Sequence, residues 1–156
     1  MMDQIIEFLL KTRLIQSVKF LSRLRISQQP YSVSQALDIK HRTIGAYAKI
    51  LAEILLPTET SRSKFWNKMM KTQYRDDICD MSRDYLSQVN PFVALLHEER
   101  LWDEFCKRVQ KAPFLTRLID VNSETFRVLR ITNKRLSERF NDIVAAYTTA
   151  DALPPV

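Results

Sequence analysis

Apolar positions recur along this chain at helical spacing almost from its first residue. Ile5, Ile6, Leu9, Leu10, Leu14, Ile15, Val18, Leu21 and Leu24 give residues 3–26 a three-and-four repeat, with a break near Thr12 and Asp3 placed as an N-cap. Ser27–Ser32 reads as a turn. A short helix is expected at Val33–Leu37, a tight connection at Asp38–Lys40 and a longer helix from His41 to Leu55. Pro57–Ser63 reads as a polar linker. Residues 65–74 fit either a helix or a strand. Further helices are expected over Asp77–Gln88 (Ile78, Met81, Tyr85 and Leu86 on one face), Phe92–Leu96, Trp102–Gln110 and Glu124–Tyr147. Ser123 is the expected cap of the last of these, and 148–156 a frayed tail. Prolines at 30, 57, 91 and 113 mark boundaries, because proline stops helices or sits in their first turn.

Glycine content sharpens the fold class. There is a single glycine, Gly45, in 156 residues. Hairpin turns and phosphate-cradling loops draw on glycine for positive φ, so a β-rich fold, a Walker loop or a dinucleotide fingerprint is disfavoured. The expected class is all-α, with residues 65–74 able to supply one small β-wing.

Chemistry is scarce. Cys79 and Cys106 lack metal-ligand spacing, and the two histidines, His41 and His97, are too few for a metal site. No Ser or Cys is paired with a base, and His97-Glu98-Glu99-Arg100 lacks the second histidine of a zincin motif. No catalytic site, metal or cofactor is expected. With no signal peptide or apolar span, the expected compartment is the cytoplasm. The aromatic residues read as core, and Asp76, Asp77, Asp80 and Asp84 as a solvated flank.

Charge points outward. The net charge is +6, with ten Lys/Arg against five Asp/Glu in residues 1–65 and seven against eight in 66–110. A basic surface favours polyanions.

Two stretches fit a helix-turn-helix plan, which needs a supporting helix, a plugged turn and a capped recognition helix. In Ser32–Tyr47, Val33, Ala36 and Leu37 would face the core, Ile39 would plug the turn and Ile44 would anchor the second helix. Lys40, His41, Arg42, Thr43, Tyr47 and Lys49 would then face DNA. In Asp120–Leu136, Val121 is the plug and Ser123 the cap, with Phe126, Leu129 and Leu136 buried. Ser123, Thr125, Arg127, Arg130 and Lys134 are the DNA-facing candidates there, the last three sharing a face by spacing. This organisation divides the chain into a first helix-turn-helix domain (1–62), a linker with wing and helix (63–90), a second helix-turn-helix domain (91–149) and a tail (150–156).

On these residues the sequence resembles the Mga-type transcriptional regulators of Gram-positive bacteria. The resembling pieces are Pro30-Tyr-Ser-Val33 with Arg42-Thr-Ile44 and Lys49-Ile-Leu51, Asp84–Leu96, and Asp120–Arg130. The resemblance implies tandem winged helix-turn-helix domains that bind promoter DNA. A homodimer on double-stranded DNA follows from the usual two-fold operators. Two features favour an alternative, a helical protein-interaction module such as an adaptor or an inhibitor of a nucleic-acid enzyme. The first motif is about two residues short between Ala36 and Ile44, and Gly45-Ala46 offers little on its outer face.

Overall fold

The computed structural model describes residues 31–84, 89–112 and 120–149. The helices expected in 3–26 and the 148–156 tail beyond Thr149 lie outside that set, as do Tyr85, Leu86 and Pro113. Among the described residues every regular element is helical and none is a strand.

Helix α1 (Val33–Lys40) opens with a reciprocal capping box. The Gln35 amide donates to Ser32 Oγ (3.2 Å), and the Ser32 amide donates to Gln35 Oε1 (2.9 Å). The connection expected at Asp38–Lys40 is absent. Lys40 and His41 keep α-helical angles, and the chain passes through one π-helical turn, His41–Gly45, into α2 (Ala46–Leu55). Nothing in Asp38-Ile39-Lys40 interrupts a helix. Asp38 and Arg42 instead pair across the site of the expected turn (2.9 Å), and the Thr43 hydroxyl donates back to the Ile39 carbonyl (2.7 Å). Gly45 sits at φ −61°, so its special freedom is unused.

Helix α3 (Glu59–Cys79) begins at the Thr58 cap, and the expected linker from Glu59 onward and the wing region are both taken into it. Trp66, Met70 and Asp77, at spacings of four and seven, form its buried face. That periodicity decides the ambiguity of 65–74 in favour of helix. Asp80 ends α3, and α4 (Met81–Asp84) follows as a separate turn, so the helix expected from Asp77 is divided there.

Asn90 caps α5 (Pro91–Glu98), its Oδ1 accepting from the Phe92 and Val93 amides (3.0 and 3.3 Å). All residues from Pro91 to Leu96 are buried, which makes α5 the central helix. Its end is a Schellman-type turn: Leu101 N–H donates to the Leu96 carbonyl (2.8 Å), and Arg100 takes φ 59°. A non-glycine residue there carries a steric cost. Arg100→Gly is therefore expected to raise unfolding stability by about 0.5–1 kcal/mol, read by urea denaturation. A loss of stability would contradict this account of the turn.

Helix α6 (Trp102–Lys111) has Asp103 and Glu104 in its first turn and Arg108 and Lys111 in its last, each matched to the helix dipole. Helix α7 (Val121–Thr132) is capped by Asp120, whose Oδ1 accepts from Asn122 and Ser123 amides (3.1 and 3.3 Å). Ser123, expected as the cap, lies inside the first turn. The single long helix expected to Tyr147 is broken at Asn133, which leaves helical geometry (φ −132°, ψ 103°) and caps α8 (Lys134–Thr148).

One apolar cluster joins these elements, running from Ala48 through Trp66, Met70, Met81, Phe92, Leu95, Leu96, Phe105, Phe126, Leu129, Leu136 and Ile143 to Tyr147. It draws on residues of 1–62, 63–90 and 91–149 alike. Phe92 is at its centre, stacked on Tyr147 (6.0 Å between centroids) and edge-on to Phe126 (5.7 Å).

Candidate nucleic-acid interface

The residues expected to face DNA have diverse fates. In the first set, Lys40 reaches inward to the carboxylate of Asp77 (2.7 Å), with only 13% of its side chain exposed. His41 is 4% exposed, its Nε2 against the Ala146 carbonyl (2.9 Å). Arg42 is paired with Asp38, and Thr43 is bonded to its own helix. Tyr47 and Lys49 are exposed.

The second set is similarly occupied. Ser123 is tied to the Asp120 carboxylate, and Thr125 is half-buried. Arg127 makes a two-pronged contact with Glu124 (2.9 and 2.5 Å). Arg130 lies with its guanidinium 3.6 Å from the centre of the Phe140 ring, sealing the gap between α7 and α8. Burial there lowers its pKa, with the Arg127 charge adding to the effect. Lys134 is exposed, with Glu138 at 3.7 Å. Arg127, Arg130 and Lys134 do not share one face, because the break at Asn133 puts Lys134 on another helix. Of the expected residues, Arg42, Tyr47, Lys49, Arg127 and Lys134 are exposed, while Lys40 and His41 are turned inward.

The centre of the molecule instead holds a polar hub. Asp77, 2% exposed, accepts from Lys40 Nζ, Gln73 Nε2 (2.8 Å) and the Tyr147 hydroxyl. The Asn90 side chain donates to the Asp77 carbonyl (2.5 Å). The hub therefore ties α1, α3, α8 and the cap of α5 together. Beside it, Trp66 Nε1 donates to the Gly45 carbonyl (3.1 Å), fixing α3 against the π turn.

His41 makes this region acid-sensitive. Burial lowers its pKa from 6.5, opposed only in part by the Ala146 hydrogen bond and Asp38, and its Nδ1 is buried without a partner. Burial lowers His97 as well. A depressed folded-state pKa means that the unfolded chain takes up protons first as pH falls. Stability is complete above pH 6.5 and declines as pH drops from there toward the folded-state values. Urea midpoints at pH 7.5 and 5.0 should show this loss, and His41→Gln should reduce it. An unchanged pH dependence in that variant would refute the assignment to His41.

Other chemistry is muted. The Cys79 thiol pKa is raised by hydrogen bonding to Asp120 and by burial, and that of Cys106 by burial, so neither is an activated nucleophile. Among the described residues no group of three or more His, Cys, Asp or Glu could hold a metal ion. An open groove of about 420 Å³ runs between the start of α1 and α8, lined by Ser32, Val33, Leu37, Glu98, Arg139 and Ile143. Two of its charged groups are engaged with each other: Glu98 accepts from the Val33 amide and pairs with Arg139, which also holds Glu99 (2.5 Å).

What remains among the described residues is a set of exposed cations with no acidic partner: Lys49 on α2, Lys64, Lys68, Lys71 and Arg75 on α3, Arg100 just past α5, and Lys107 and Lys111 on α6. Apart from Lys49, none was among the expected DNA contacts. Reading Glu59–Cys79 as one helix would have revealed the α3 members, since their spacings are four, three and four.

No protein-family model, characterised protein or solved structure matches the chain. Among the described residues no helix is long and apolar enough to cross a membrane.

Proposed function

We propose that the protein is a DNA-binding transcriptional regulator that holds duplex DNA chiefly through its phosphate backbone. One observation carries this reading. Ion pairing absorbs Lys40, Arg42, Arg108, Arg127, Arg135 and Arg139, yet Lys49, Lys64, Lys68, Lys71 and Arg75 stay exposed and unpaired among the described residues of a chain of net charge +6. Such free cations release counterions from DNA when they meet phosphates, which favours binding. The Mga-type resemblance belongs to the same proposal, as does a homodimer on a two-fold operator.

Fluorescence anisotropy with a mixed-sequence duplex tests it. Affinity should fall steeply with salt, with a log–log slope of about −3 to −4 for four phosphate contacts. No binding to duplex at low salt would eliminate the proposal.

A specific observation favours a second reading, the protein-interaction module. Tyr47 (49% exposed), Leu55 (63%) and Ile131 (69%) leave large apolar side chains in solvent. A regulator reading predicts that substituting Leu55 and Ile131 leaves DNA affinity unchanged.

A further inference from the structure

From the geometry of α3 we infer that this helix, and neither of the two segments resembling recognition helices, is the element that lies along duplex DNA. The inference rests on the DNA-binding reading and assigns its contact surface. Lys64, Lys68, Lys71 and Arg75 are all exposed and carry no ion pair among the described residues. At about 100° per residue they fall within roughly 60° of the helix circumference and extend about 16 Å along it. The acids of α3 lie outside that arc: Glu59 and Asp77 project toward the opposite side and Asp76 lies well to one flank. The result is a straight rod of four positive charges uninterrupted by a negative one.

The chemistry of the rod narrows its partner. Single strands are held by aromatic platforms on which bases stack. The aromatic residues of α3 are not on the stripe. Trp66 is buried on the opposite face, and Phe65 and Tyr74 are half-buried to either side. A membrane-surface helix would need an apolar face to insert. The apolar face of α3 is already used, with Trp66 at 5% and Met70 at 0% exposure in the core. A protein interface would need apolar anchors at its centre, and the stripe contains none. Closely spaced, regularly repeated anionic groups on a stiff surface are what the stripe complements, and the phosphates of duplex DNA supply them.

Rigid support also favours this surface. The stripe is displayed by a 21-residue helix held from behind by Trp66 on the Gly45 carbonyl and by Asp77 on Lys40 and Tyr147. The cations are presented without a folding step, so little ordering cost attends binding beyond the lysine side chains themselves.

The test compares two variants of equal charge loss in the full chain. Lys64→Gln/Lys68→Gln/Lys71→Gln removes three stripe charges, and Lys107→Gln/Arg108→Gln/Lys111→Gln removes three from α6. Glutamine keeps helix propensity, and circular dichroism checks that each variant is folded. The stripe variant should bind a mixed duplex at least about tenfold more weakly at 0.1 M salt, with its salt slope reduced by about 3. The α6 variant should keep its slope within about 1 of the parent. If the triple variant does not fold, Lys68→Gln/Lys71→Gln serves, with a slope reduction of about 2. Equal losses in the two variants, or a larger loss from Arg127→Gln/Lys134→Gln, would overturn the assignment to α3 while leaving DNA binding intact. Absence of binding by the parent protein would remove the DNA reading itself.

Discussion

Asp77→Ala is expected to destabilise the protein by about 3–5 kcal/mol, the cost of stranding a buried cation and its hydrogen-bonding neighbours. Lys40 points inward to this carboxylate and has little access to water, so removing the acid leaves its ammonium group uncompensated. The Tyr147 hydroxyl and the Gln73 amide lose their acceptor at the same time. Small domains are stable by about 5–15 kcal/mol, so such a loss would bring the variant close to unfolding at ambient temperature. Urea denaturation followed by circular dichroism measures it. The double variant Asp77→Ala/Lys40→Met should recover part of the loss, because it removes the stranded charge as well. A single-variant effect below about 1 kcal/mol would show that the hub is not a structural element.

The second large effect is expected at Phe92. Its ring is fully buried and touches Tyr147, Phe126 and Phe140, three rings carried by the two helices α7 and α8 that pack against α5. Truncation to alanine removes those contacts and opens a cavity that the surrounding helices can close only in part, at a cost of about 3–5 kcal/mol. Ile131→Ala is the useful contrast. Ile131 is exposed on α7, and its truncation should change stability by no more than about 0.5 kcal/mol. Comparable effects at the two sites would mean that α5 is not the centre of the core.

The all-helical class was legible because its causes are local. A single glycine, prolines that end segments and a three-and-four apolar rhythm all act within a few residues. Asn90-Pro91 marked the start of α5, and its burial followed from an unbroken apolar run. The continuous helix through the first candidate motif was not legible, because the helix-turn-helix template imposed a turn that Asp38-Ile39-Lys40 gives no reason to make. Local helical bonding between Asp38 and Arg42 carries the helix through. Asn133 was hidden for the opposite reason. Apolar periodicity continues on both sides of it, and only its side-chain bond to the Leu136 amide makes it a cap.

The candidate site was harder to read, because charge in a sequence does not reveal what neutralises it. Lys40 and Asp77 are 37 residues apart, and Arg130 over Phe140 depends on how α7 meets α8. By contrast, Lys64, Lys68, Lys71 and Arg75 follow a helical rhythm of four, three and four. Dividing the segment into linker, ambiguous stretch and helix hid that rhythm.

The proposed contact surface for duplex DNA is the row of unpaired cations on α3. Lysine-reactivity footprinting by mass spectrometry, with and without a mixed-sequence duplex at low salt, tests it most directly. Lys64, Lys68 and Lys71 should become protected on DNA addition while Lys107 and Lys111 stay reactive. Protection centred on Lys134, or no change at Lys64, Lys68 and Lys71 under conditions where DNA is bound, would contradict it.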